Sequence, residues 1–186
     1  MAKLFNNTIL NCVHSLILEM INREQRFLIV FSDDEKERKM NIGSRSEYPS
    51  SNLSNFHPHA FSVDGIECAS MEGFLQSLKF KNPEMQIHVC TLVGIRAKMK
   101  GKNKKWWRTQ TLWWKGLPIN RHSEEYQYIL DMAYRALSQN KKFQIALLAT
   151  HNAVLKHTIG KKDKHRTVLT QQEFCSRLTK IRETLK

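Results

Sequence analysis

Glu72, Gln76 and Lys79 stand at i, i+4 and i+7 in the stretch ASMEGFLQSLKF, Ala69–Phe80. At about 100° per residue they share a narrow sector of a helix, roughly 120° from the centre of the apolar face made by Met71, Phe74, Leu75 and Leu78. A solvated helix back looks like this, and so does the floor of a site. As a site, the row holds a carboxylate to stabilise a cation or position a water, an amide, and an ammonium for phosphate. Glu72 falls in the first turn, where the helix dipole favours the ionised carboxylate. The residues ahead of it are rich in donors and acceptors: Ser51, Asn52, Ser54 and Asn55.

Two further segments concentrate positive charge. KMKGKNKKWWR, Lys98–Arg108, holds six basic residues in eleven, and four tryptophans fall between positions 106 and 114. KHTIGKKDKHR, Lys156–Arg166, holds five in eleven. Basic side chains neutralise phosphates and indole faces stack on bases, so the first segment suits a nucleotide or a single strand. A solvated loop with its tryptophans folded back on the core is the alternative. The histidines supply no metal set: His57-Pro-His59 is not a helical pair, and His122, His151 and His157 fit surface or structural roles. No phosphate-binding glycine loop, nucleophile elbow or H-E-x-x-H is present, so neither metal nor cofactor is expected.

The elements that must position these groups belong to a chain of 186 residues, the length of one domain with a sizeable core. Lys and Arg number 30 against 17 Asp and Glu, a net charge of +13 that attracts polyanions. Cys12, Cys68, Cys90 and Cys175 are scattered without a C-x-x-C, which fits a reducing cytoplasm. TILNCVHSLILEMI is interrupted by polar residues and does not read as a signal peptide, and no run approaches the roughly 18 apolar residues of a membrane span.

Periodicity predicts a helix over Asn7–Arg23 and a strand over Arg26–Phe31, followed by a loop over Asn41–Asn55. AFSVDGIEC alternates around Asp64-Gly65 as a small hairpin. A helix capped by Ser70 runs to about residue 81, and Asn82-Pro83 opens another that Gly101 closes. Ser123 with Glu124 and Glu125 starts a third, and KKFQIALLAT continues after Asn140. Thr170 and Glu173 form a capping box for the last helix, which buries Phe174, Leu178, Ile181 and Leu185. The expected fold is mainly α (α+β), with a small β element in the first third.

The stretch SNLSNFHPHAFSVDGIECASMEGFLQSLKF resembles the signature of the NADAR or YbiA-like family. Its elements are Ser54-Asn55-Phe56, Asp64-Gly65, Ser70-Met71-Glu72 and Gln76-Ser77-Leu78-Lys79-Phe80. Weaker likeness continues through Trp113 or Trp114, Tyr134-Arg135-Ala136-Leu137, Leu147–Thr150 and Leu155–Thr158. It covers about residue 27 onward, so residues 1–25 are set apart as an N-terminal amphipathic extension and 26–186 as the family domain. The resemblance implies a compact, mainly α domain that cleaves N-glycosidic bonds. The substrates would be phosphoribosyl-amine intermediates of riboflavin synthesis, or ADP-ribose carried on guanine. Glu72 becomes the prime catalytic residue. Many members follow the His-Thr step with a Trp-Gly-Asp-Gly-like loop that supplies a second acid. Here the chain reads Ile159-Gly160-Lys161-Lys162-Asp163, which leaves Asp163 as the substitute.

Breaking a ribosyl C–N bond builds oxocarbenium-like charge, so a carboxylate beside the sugar is the group the chemistry needs. On this reading Glu72 stabilises the cation and activates water or forms a ribosyl ester. Asn55 holds the ribose hydroxyls or Glu72 itself, Gln76 binds the substrate, Lys79 and Arg96 meet phosphate, and Trp114 or Phe56 stacks on the base. The partner is a ribose-phosphate or ADP-ribosylated substrate, free or on nucleic acid, with no membrane involved and the oligomeric state open. The competing readings are a non-catalytic basic nucleotide-binding module and an interaction protein built on the Asn7–Arg23 helix.

Overall fold

The computed structural model describes Glu19 and residues 38–186. It divides the chain into Met1–Arg38 and Lys39–Lys186, and every element below belongs to the second unit. Apart from Glu19, the helix expected over Asn7–Arg23, the strand over Arg26–Phe31 and the boundary at residue 26 lie outside the described residues.

Six α-helices dominate the described residues: α1 Met71–Ser77, α2 Pro83–Cys90, α3 Gly94–Gly101, α4 Glu124–Leu137, α5 Lys141–Leu148 and α6 Gln171–Thr184. Six short strands pair in twos. β1 (Lys39–Asn41) runs parallel to β6 (Val154–Lys156), β2 (Phe61–Val63) is antiparallel to β3 (Ile66–Cys68), and β4 (Thr111–Trp114) is antiparallel to β5 (Leu117–Asn120). The fold is mainly α with an α+β character. Among the described residues the β content is three separate pairs, where the sequence suggested one hairpin.

Local chemistry sets most of the helix starts. Ser70 Oγ accepts the Gly73 amide at 3.0 Å, Ser123 Oγ that of Tyr126 at 3.2 Å, and Asn140 Oδ1 those of Lys142 and Phe143. Thr170 and Glu173 cap one another's backbone, the reciprocal arrangement that satisfies two orphan donors. The single helix expected from Pro83 to Gly101 is instead two. Val93 is extended, and Gly94 takes φ of 54°, a conformation that costs a glycine little. The break leaves the Leu92 carbonyl free to accept Ser70 Oγ at 2.9 Å, which fastens the start of α1 to the α2–α3 junction.

The core forms around α1, all seven of whose residues are buried. Phe74 and Leu78 pack with Leu112, Tyr126, Leu130, Phe143, Phe174 and Leu178. The β4–β5 hairpin turns through Lys115 and Gly116, both at positive φ. It docks on α1 where the Trp113 amide donates to the Leu78 carbonyl at 2.8 Å. Gln86 Nε2 then bridges the carbonyls of Phe80 and Trp113, at 2.8 and 2.7 Å.

Across the core lies a buried ion pair. Arg121, 0% exposed, meets Glu173 through Nη1 and Nη2 at 3.0 and 2.7 Å, and donates from Nε to the Thr167 carbonyl at 2.9 Å. The Tyr126 hydroxyl donates to the Val168 carbonyl beside it. Together these contacts hold residues 167–170 against α4 and α6.

Candidate active site: a basic cleft around one buried carboxylate

Because α1 is buried on every side, its polar stripe has to find partners inside the protein. Gln76 Nε2 donates to Glu72 Oε1 at 2.9 Å, and Lys79 Nζ donates to Gln76 Oε1 at 2.6 Å. Lys79 also reaches the Gly101 carbonyl at 3.5 Å. The result is a short relay in which an ammonium orients an amide and the amide orients a carboxylate. A Cβ on Gly101, where α3 covers the relay, would stand 2.0 Å from Gln76 Oε1, so a larger residue there must displace the Gln76 amide.

The relay opens on a cleft of about 1010 Å³. Its walls come from the loop after β1, the Ser54–Phe56 loop, α1, α3, Trp106, the segment after β6, and residues 166–169. Among the lining residues Glu72 is the one carboxylate, against five cations: Arg45, Lys79, Lys98, Lys161 and Arg166. Glu72 is 8% exposed. Its Oε2 has no hydrogen-bond partner among the described residues, while Oε1 is taken by Gln76. Burial pushes the Glu72 carboxyl above the usual carboxylate range, against the downward pull of Gln76, Lys79 and Lys98. Burial likewise brings Lys79 down to about 8, with Glu72 opposing and Lys98 and Lys161 adding to the shift.

Asn55 is tied to the same point twice. Its carbonyl accepts the Glu72 amide at 2.8 Å, and its Oδ1 accepts the Tyr134 hydroxyl at 3.1 Å. That fixes the side-chain amide and leaves Nδ2 without a protein partner among the described residues. Phe56 lines the cleft with Lys98 Nζ 5.4 Å from its ring centre.

Of the residues singled out in the sequence, the cleft therefore brings together Glu72, Gln76, Lys79, Asn55 and Phe56. Three lie elsewhere. Trp114 is buried in the core, edge-on to Phe74 at 5.3 Å, with its indole N–H donated to Asp64 Oδ2 at 3.1 Å. Alternation along β4 turns it inward with Leu112. Arg96 is exposed and outside the cleft lining. Asp163 is also exposed and outside the lining, and its Oδ1 accepts the His165 amide to cap the short 3-10 turn Lys164–Arg166.

In place of these, the structure supplies Trp106, Lys98, Lys161, Arg45, Arg166 and His157. Lys98, Trp106, Lys161 and Arg166 fall in the two basic segments, so their signal was charge and aromatic content without position. His157 belongs to the Leu-x-His-Thr step. Its Nδ1 lies 2.8 Å from the Ile42 carbonyl, which can only accept, so Nδ1 carries the proton. Nε2 is then the acceptor of the neutral ring. Among the described residues no group of His, Cys, Asp and Glu is arranged to hold a metal ion, and no helix is long and apolar enough to cross a membrane.

This α+β fold resembles that of YbiA-like proteins. The NMR structure of E. coli YbiA matches with a TM-score of 0.55 over 80% of this chain and 85% of its own, at 18% identity, a likeness of fold. The family is narrower. The model of the family described as bacteriophage protein GP30.3 matches residues 47–183, and the chain belongs to that NADAR-type family. A relative from Enterobacteria phage T4, the uncharacterized 17.1 kDa protein of the Gp30–rIII intergenic region, is 39% identical over 152 residues. The match covers 79% of this chain and 99% of that protein.

Proposed function

We propose that this protein is an N-glycosidase that hydrolyses the bond between the ribose of ADP-ribose or a ribose phosphate and a nucleobase or amine. ADP-ribosylated guanine in nucleic acid is the substrate its charge suits best. The observation that carries the reading is Glu72, which among the described residues is the one carboxylate in the cleft, buried and with one oxygen unpartnered, against five cations. Cations bind the phosphates, and only one group remains to meet positive charge on the sugar.

As the C–N bond lengthens, the electron pair leaves with the base and C1′ becomes oxocarbenium-like. Glu72 Oε2 stabilises that charge and directs a water to C1′, taking up its proton. Asn55 Nδ2 donates to a ribose hydroxyl. Lys79, Lys98 and Lys161 meet phosphate oxygens. Phe56 or Trp106 offers a face to the base. His157 Nε2 is the remaining group in the cleft suited to exchanging a proton with the leaving base.

A non-catalytic nucleotide-binding module is the second reading, favoured by one fact: Asp163 is outside the cleft lining, so among the described residues no second carboxylate stands there. The test is incubation with ADP-ribosylated guanosine, an ADP-ribosylated oligonucleotide and a free phosphoribosyl-aminopyrimidine, read by mass spectrometry. Release of a base or amine is the expected result. A salt-sensitive complex with no product from any of the three would leave the binding module.

A further inference from the structure

Two short 3-10 turns form one rim of the cleft, and each straddles it. Trp106–Arg108 sends Trp106 into the cleft and leaves Trp107 45% exposed. Lys164–Arg166 sends Arg166 into the cleft lining and leaves Lys164 and His165 outside that lining. Gln110 ties the turns together, donating from Nε2 to the carbonyls of Trp107 at 2.6 Å and His165 at 3.2 Å. Its Oε1 lies 2.9 Å from His122 Nε2, and the His122 and His165 rings meet at a tilt with centres 4.5 Å apart. The outer face thus joins an exposed indole, two imidazoles and an amide on a fixed backbone.

The chain beside this face is predominantly basic. Between Glu84 and Glu124 the chain carries no carboxylate, and that span contributes Arg108 to the first turn, with Lys102, Lys104 and Lys105 shortly before it in sequence. Arg108 lies over the Trp107 ring at 5.5 Å, a guanidinium and an indole presented together. Asp163, the nearest acid in sequence on the other turn, is engaged in capping it. A free mononucleotide filling the cleft would leave this face unused. A polymer whose modified residue sits in the cleft would run over it.

We propose that this rim is a subsite for the nucleotide adjoining the modified one in a single-stranded nucleic acid. The adjoining base stacks on Trp107, and its phosphate is held by Arg108 and Lys164. The inference deepens the proposed function by naming a single strand as the substrate's carrier. Strand binding itself is measurable without any turnover.

The test uses fluorescence anisotropy of an unmodified single-stranded DNA dodecamer with the full chain, at several salt concentrations, alongside binding of free ADP-ribose. Trp107→Ala should weaken the dodecamer by about five- to 100-fold, the range of one lost base stack. Trp107→Phe should restore most of the loss, and ADP-ribose affinity should stay within about twofold, since Trp107 is outside the cleft. Arg108→Ala should lower the slope of log affinity against log salt by about 0.7, one phosphate's share. Unchanged dodecamer affinity in Trp107→Ala overturns the proposal, as does equal weakening of dodecamer and ADP-ribose. Strand binding through Trp107 without product release would sink the hydrolase reading alone and leave the subsite standing.

Discussion

Among the described residues, acidic and basic side chains meet inside the protein in two places, and they are built to different ends. At the Arg121–Glu173 pair both carboxylate oxygens are doubly engaged: Oε1 accepts from Arg121 and Gln127, Oε2 from Arg121 and the Thr170 amide. Burial pushes the Glu173 carboxyl up, yet those donors hold it at about 2. At the Glu72–Gln76–Lys79 relay, one oxygen of Glu72 and the Asn55 Nδ2 are left over and open on a cleft. Glu72 is correspondingly pushed up and Lys79 down. Burial and charge are common to both regions. What separates a strut from a site is the hydrogen-bonding capacity that the fold leaves unused.

Removing one partner of the strut should therefore cost the most. Arg121→Met leaves Glu173 buried without its cation, and unfolding by denaturant should show a loss of about 3–5 kcal/mol. Because Glu173 titrates well below its ordinary 4.5 in the fold, its share of stability is present above that value. It should be lost as pH falls from 4.5 toward about 2. The Arg121→Met protein should lack that acid-limb dependence.

Perturbing the relay should act on turnover instead. Gly101→Ala puts a methyl against Gln76 and turns the amide away from Glu72. A misplacement of this kind is expected to cost about 10–100-fold in kcat, with thermal stability moved far less than in Arg121→Met. Equal losses in both readouts would erase the distinction between the two regions.

The pH profile of kcat/KM should sharpen it further. Activity falls on the acid side as Glu72, raised by burial, takes up a proton, and falls on the alkaline side as Lys79 loses one near pH 8. Lys79→Arg, which stays charged, should move the alkaline limb upward. The smallest effect is on folding: Glu72→Gln should change stability by less than about 1 kcal/mol, because it removes a charge whose burial is unfavourable.

Much of the scaffold was legible because its signals are local. Ser70, Ser123 and Thr170 cap the helices they were expected to start, and Asn140 caps the one expected to follow it, each within three residues. The polar stripe of α1 was ambiguous because what covers it, Gly101, lies 22 residues beyond Lys79. The Arg121–Glu173 pair spans 52 residues and the His157–Ile42 contact 115, distances at which pattern carries no signal. Trp114 was readable in part: alternation of Leu112 and Trp114 ahead of Lys115-Gly116 is a hairpin pattern, and it assigns Trp114 to the core. Asp163 was chosen by its place after the His-Thr step, whereas a two-residue Asx cap on a short turn claims its side chain.

The central claim is that Glu72 carries the chemistry and the surrounding cations carry the binding. Its most direct test is a single-turnover time course with ADP-ribosylated guanosine, comparing wild type with Glu72→Gln while the affinity of each is measured in parallel. The account predicts that release of ADP-ribose falls by about 10²–10³-fold, with affinity retained within a few-fold. Product release at the wild-type rate by Glu72→Gln would contradict it.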